Sequence, residues 1–218
     1  DKRGQYAVDL QLQRNAASKV ASGNYAGILA GQNCTASGNY SVVIGGGDNV
    51  ASGAYSLTGG SGNSNAGDYS VALGALVTLT SAADRTFIYS SPGAAGSKDI
   101  SIASPDTAVF GNVNVWLANT NNTASELRFY EAQSATGTFP AAGTNYTAFK
   151  AGTQAANITY TLPTADGSNG AVLVTNGSGT LNWYLLANLI SSFLGYAVAL
   201  NTSSPNNTVN ASSLTASG

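Results

Sequence analysis

The chain has 218 residues, of which 26 are glycine and only 8% are charged, with eight basic against ten acidic side chains. That balance gives neither the basic stripe of a nucleic-acid binder nor the charge density of a disordered tail, and a hydrophobic content of 43% is enough to build a core. The lack of histidine excludes a Ser/His/Asp triad and the usual zinc sites, and a single cysteine, Cys34, excludes an intrachain disulfide.

Residues 1–20 alternate apolar and polar side chains from Tyr6 to Gln13, which predicts a leading strand or a cap on the first coil. Asp9 and Arg14 would there be solvated or paired across chains. Residues 21–74 repeat one phrase: Ala21-Ser-Gly-Asn-Tyr25, Ala36-Ser-Gly-Asn-Tyr40, Ala51-Ser-Gly-Ala-Tyr55 and the shortened Ala66-Gly-Asp-Tyr69. The tyrosines lie 15, 15 and 14 residues apart, and each is followed by a short apolar burst closed by Gly31, Gly45, Gly59 or Gly74. Such a burst is too short for a helix and suits a strand. One strand pair with two glycine turns fills a period of this length, which is the coil of a β-solenoid.

A coil so slim leaves much of its apolar burst exposed in one chain, and three chains around one axis would cover it. Gly45–Gly47 and Gly59–Gly60 would allow close backbone approach or positive φ. Tyr25, Tyr40, Tyr55 and Tyr69 are expected to bury their rings between coils while their hydroxyls reach water. Cys34 reads as a small turn or edge residue. Asp48 and Asp68 recur in neighbouring repeat loops and read as turn residues rather than calcium ligands.

Ser41-Val-Val-Ile-Gly45 and Ser70-Val-Ala-Leu-Gly74 resemble the short repeats of trimeric autotransporter adhesin heads, while the Ala-Ser-Gly-x-Tyr spacing resembles repeats of bacteriophage tail-fibre proteins. The resemblance covers residues 21–74. Gly27-Ile-Leu-Ala-Gly31 and Ser56-Leu-Thr-Gly-Gly60 depart from the adhesin pattern.

Residues 75–124 hold short apolar runs separated by Pro92-Gly93, Gly96 and Pro105, a connecting β-segment that continues the shaft without the repeat. In residues 125–183, the runs Ser125–Glu131, Gly143–Lys150, Asn157–Gly167 and Ala171–Trp183 resemble a module of tail-fibre and related virion proteins. By their alternation, Leu127, Phe129, Phe149, Ile158, Tyr160 and Leu162 predict strands with one buried face. Asp166-Gly167 and Asn176-Gly177 predict tight turns, and Trp183 an apolar anchor.

Residues 184–218 begin in a run, Trp183–Leu200, with no charge in 18 residues. Leu186, Leu189, Ile190, Phe193 and Ala197 fall at spacings of three and four, the stripe of a short helix. Three such stripes would form an apolar plug in a trimer; a lipid-contacting segment and an interface with another virion protein are the alternatives. A spanning helix is disfavoured because basic anchors are missing, the nearest upstream being Lys150.

No catalytic, cofactor or metal site is expected. Glu126 and Glu131 are the only glutamates and lie at an odd spacing, on opposite faces of a strand. Asp84, Asp99 and Asp106 sit among turn formers and read as loop caps or solvated groups. The residues together with the resemblance imply an all-β, homotrimeric fibre segment of a phage virion, exposed on the particle, either a fragment or a protein whose ends were not retained. Its partners would be itself, other virion proteins and a host-surface glycan or protein, without nucleic acid or membrane. Binding groups would come from exposed loops such as Asn119–Asn122 or Thr138–Pro140. A trimeric adhesin or filament on a bacterial surface is the alternative, and a glycan-depolymerising tailspike a third reading.

Overall fold

The computed structural model describes residues 2–91, 100–120, 123–133, 137–141 and 144–185. Among the described residues every regular element is a strand. The chain divides into two compact units, Asp1–Ala118 and Asn119–Gly218.

The first unit is a parallel β-solenoid of about six turns. One sheet stacks β1 (Val8–Asp9), β2 (Gly27–Ile28), β4 (Val42–Gly47), β6 (Leu57–Ser61), β8 (Val71–Ala75), β10 (Phe87–Ser90) and β12 (Ala108–Gly111) in that order. A second stacks β3 (Thr35–Ala36), β5 (Val50–Ala51), β7 (Ser64–Asn65), β9 (Val77–Leu79) and β11 (Ile100–Ile102). Each turn of chain thus adds one rung to each sheet. The sheets reach beyond the repeated phrase at both ends, to Val8 on one side and to Gly111 on the other.

The turns are made at left-handed corners. At the first corner, Tyr6, Tyr25, Tyr40, Tyr55, Tyr69, Arg85 and Asp106 all have φ between 53° and 59°. A bulky residue rarely adopts this conformation. Beyond the first turn it is held by the stack, because the N–H group donates to the preceding turn: Tyr25 to the Gln5 carbonyl, Tyr40 to Asn24, Tyr55 to Asn39, Tyr69 to Ala54, Arg85 to Asp68 and Asp106 to Asp84. Asn33, Asp48, Gly62 and Leu76 form the second corner in the same way. Asp48 lies at the second corner and Asp68 precedes Tyr69 at the first, so the two are turn residues of different corners.

Glycine is required where turns touch. A Cβ added at Gly23, Gly38 or Gly53 would lie 2.1 Å from the carbonyl oxygen of Gly38, Gly53 or Gly67. A second column runs through Gly31, Gly46, Gly60 and Gly74, all at positive φ, where a Cβ would fall within 2.2 Å of the next turn's oxygen. Of the predicted repeat glycines, Gly31 and Gly74 lie in this column, whereas Gly45 and Gly59 pair with each other one place earlier. The register shift between Val43 and Gly45 leaves Ile44 as an extra residue, which accounts for a 15-residue period beside one of 14.

The interior is narrow. It is apolar at one end (Ala26, Ile28, Val43), apolar at the other (Val77, Leu79, Ile88), and polar between, where Ser56, Thr58, Asn63, Asn65 and Ser70 are buried. Cys34 follows the corner residue Asn33, and its side chain is fully buried in the first cluster. Asp9 is corrected too: its carboxylate is buried, accepts from the Ala21 amide and from Gln11, and lies 3.9 Å from Arg14 of the same chain.

The second unit contains two antiparallel hairpins, β13 (Glu126–Tyr130) with β14 (Tyr146–Lys150) and β15 (Ala171–Thr175) with β16 (Leu181–Leu185). Asn176-Gly177 makes the second hairpin's turn as expected, with Asn176 Oδ1 accepting from the Ser178 and Thr180 amides. Trp183 lies against Gly167 and donates its Nε1 proton to the Ala165 carbonyl at 3.0 Å.

Candidate interaction surfaces

The outer faces of the two solenoid sheets differ in chemistry. In the first, one outward column runs Val8, Gly27, Val42, Leu57, Val71, Phe87, Ala108, and a second runs through Leu29, Ile44, Leu73, Tyr89 and Phe110. Gly59 breaks the second column in register only, because the Ile44 side chain lies over it. Ile44 is 44% exposed and Phe110 is 53% exposed. This face carries no charged side chain and spans seven strands. The second sheet's outward column is Thr35, Val50, Ser64, Thr78 and Ser101, small and mostly hydroxylic. A contiguous apolar face of this extent marks an interaction surface.

The repeat tyrosines form a ladder at the first corner. Tyr6, Tyr25, Tyr40, Tyr55 and Tyr69 stack in sequence with ring centroids 4.8–5.0 Å apart, and the last three pairs lie within 5° of parallel. The rings are stacked on the outside of the solenoid rather than buried between its coils, which corrects the sequence expectation. Each ring covers its neighbours' faces, so the ladder presents ring edges and hydroxyls to solvent. Beside it runs a ladder of side-chain acceptors: Asn24 Oδ1 takes the Gln5 amide, Asn39 Oδ1 the Asn24 amide, Asp68 Oδ1 the Ala54 amide and Asp84 Oδ1 the Asp68 amide. Ala54, which has no such oxygen, interrupts it.

Sequence reasoning missed a buried amide ladder at the second corner. Asn49 Nδ2 donates to the Gly45 and Gly60 carbonyls and Asn63 Nδ2 to those of Gly59 and Gly74. Asn49 Oδ1 accepts from the Asn63 amide and Asn63 Oδ1 from the Val77 amide. Gln11 reaches into the same ladder from the first turn, accepting from the Cys34 amide at 2.9 Å. Cys34 holds the position equivalent to Asn49, with its Sγ directed at the Gln32 and Gly46 carbonyls.

In the second unit the predicted buried faces are open. Leu127, Phe129, Phe149, Ile158, Tyr160 and Leu162 are all exposed, and of residues 157–162 only Thr161 forms a bridge, to Thr180. On β13 and β14 the alternation sets Leu127, Phe129 and Phe149 on one face, which the described residues do not cover. The other face of this hairpin carries charge. Glu126 takes a hydrogen bond from Arg128 Nε at 2.6 Å and one ion pair from Lys150 at 3.2 Å. These two cations, Arg128 first, hold the Glu126 carboxyl below its ordinary value. The Arg128 guanidinium, raised by its bonds to Tyr130 and Glu126, lies 4.4 Å from the Tyr146 ring centroid. Tyr130 contacts both Tyr146 and Phe139. Of the predicted binding loops, Thr138–Pro140 thus joins this aromatic group, while part of Asn119–Asn122 lies outside the described residues.

The expected plug residues Leu186, Leu189, Ile190, Phe193 and Ala197 also lie outside the described residues. Glu131 accepts from Asn145, and Asp106 pairs with Arg85. Asp84 serves as the loop acceptor expected of it. Compared with known protein families, curated proteins and solved structures, the chain matches none.

Proposed function

We propose that this chain is a structural fibre protein of a phage virion, homotrimeric, which contributes to attachment at a host surface. The observation that carries the reading is the uncharged apolar outer face of the first solenoid sheet, unbroken over seven strands, opposite a sheet whose outer face is hydroxylic. A one-sided surface of this kind suits an elongated rod whose copies share an axis. The rung spacing favours self-association, because only a partner with the same rise can keep its side chains in step over many turns. The hairpins of the second unit point the same way, since two-stranded ribbons with exposed Leu and Phe are marginal alone and need cover.

The identification as a virion fibre rests on the tail-fibre resemblance of the tyrosine repeat and of the 125–183 module. Attachment would work by avidity: three weak sites on one stiff axis engage a surface at high effective concentration. Hydroxylic faces and the tyrosine edge ladder would remain outward, giving a soluble shaft.

Mass measurement in solution tests the oligomer. Three times 21.8 kDa is expected, and a monomer would refute it. Ile44→Asp and Leu73→Asp, which place three carboxylates together, are expected to lower the mass, whereas Thr35→Asp and Ser64→Asp on the other sheet leave it unchanged. Antibody labelling of particles in electron micrographs tests the location. Label on tail or capsid appendages supports the virion reading, and label on bacterial cells alone favours the adhesin.

A further inference from the structure

The register of β13 and β14 sorts their side chains into two unlike faces. Leu127, Phe129 and Phe149 share one; Glu126, Arg128, Tyr130, Tyr146, Ala148 and Lys150 share the other. In a fibre the apolar face is the one to be covered by other copies, which leaves the second face to solvent. We propose that this second face is a binding site for an acidic glycan, one bearing carboxylates such as uronic acids. The proposal rests on the fibre reading and names the ligand class within it.

Three features carry it. One carboxylate, Glu126, stands between two cations, Arg128 and Lys150, so the face keeps one uncompensated positive charge in a chain whose net charge is −2. Arg128 is held in place by Glu126, by the Tyr130 hydroxyl at 3.4 Å and over the Tyr146 ring, which presents its remaining N–H groups without further ordering. The exposed rings of Tyr146 and Phe139 flank the half-buried Tyr130 beside it, their centroids 5.2 and 4.9 Å from that of Tyr130. A pyranose can lay its C–H face on such rings while its carboxylate meets the cations. Ala148, opposite Arg128, leaves room for the approach. One excess charge is too little for a nucleic acid, which needs several phosphate contacts.

The test uses the full chain in its native oligomer and measures binding of polygalacturonate and alginate, with dextran as the uncharged control, by calorimetry at low and high salt. Binding of the polyuronates but not dextran, weakened by salt, is expected. Arg128→Gln should weaken it at least tenfold. Lys150→Gln, at a side chain that pairs with Glu126 and touches none of the three rings among the described residues, should weaken it several-fold without disturbing the aromatic group. Indifference to both polyuronates, equal binding of dextran, or full affinity in both variants would overturn the assignment. Solution mass is recorded on the same samples. A trimer that ignores polyuronates refutes the glycan site alone, and a monomer refutes the fibre reading on which it stands.

Discussion

Replacing Asn63 by alanine removes the centre of the buried amide ladder. The Asn63 side chain is within 1% of full burial and makes three hydrogen bonds, to the Gly59 and Gly74 carbonyls and from the Val77 amide at 3.0 Å. The stranded Val77 N–H costs about 1–3 kcal/mol, and each carbonyl that loses a donor about 0.5–1.5 kcal/mol. With no water replacing the amide in so narrow an interior, the sum is about 2–6 kcal/mol. At about 2–4 °C per kcal/mol for a chain of this size, melting should fall by roughly 10 °C. The control is Cys34→Ala at the equivalent position, which removes only weak sulfur contacts at 3.3 and 3.6 Å and should cost about 1 kcal/mol. Circular dichroism melts at matched protein concentration compare the two, since association shifts the midpoint. Hydrogen exchange at Val77 reads the lost acceptor directly. Equal destabilisation by the two variants, or unchanged protection of the Val77 amide, would refute the assignment of the ladder as the buried hydrogen-bond spine.

Ala54→Asn should restore the missing rung of the outer ladder by giving the Asn39 amide an acceptor, raising stability by about 0.5–1.5 kcal/mol in the same melts; a loss would show that Ala54 is kept for another reason. Thr58→Val replaces a buried hydroxyl that has no partner among the described residues, so a gain of about 1 kcal/mol is expected in denaturant midpoint, and destabilisation would reveal a bound water or partner for Oγ1. The Asp106 carboxyl is held below its ordinary value by its hydrogen bond from Arg85. Its contribution is therefore complete above the unfolded-state carboxylate value and disappears as pH falls through the depressed folded value. Wild type and Asp106→Asn should differ slightly at neutral pH and converge in acid, and a gap that widens on acidification would contradict the sign.

The tyrosine corner was legible because Tyr25, Tyr40, Tyr55 and Tyr69 recur at nearly constant spacing. Tyr6 belongs to the same column but precedes Tyr25 by 19 residues, and Arg85 and Asp106 fill the corner with other side chains, so period and identity both fail there. What persists is backbone shape, which a residue pattern does not display. Asn49 and Asn63 were hidden differently. Asparagine in a glycine-rich stretch signals a turn, and nothing in the local sequence says that these amides point inward along the stack. For the second unit, alternation on Leu127, Phe129 and Phe149 correctly marked an apolar face, but alternation does not say whose atoms will cover it. A short ribbon and a packed sheet carry the same pattern.

The in-register stacking of like corners has a consequence for how such a rod changes length. From Tyr25 to Tyr69 each turn offers the next the same backbone carbonyls, the same glycine clearance and the same ring, so a duplicated turn slots in where the cut falls between these equivalent corners. The insertion lengthens the rod by one strand spacing, about 4.8 Å, and asks no existing neighbour to repack. Length is thereby adjustable in whole notches by recombination, while the loss of a single residue must be absorbed by a bulge of the kind at Ile44.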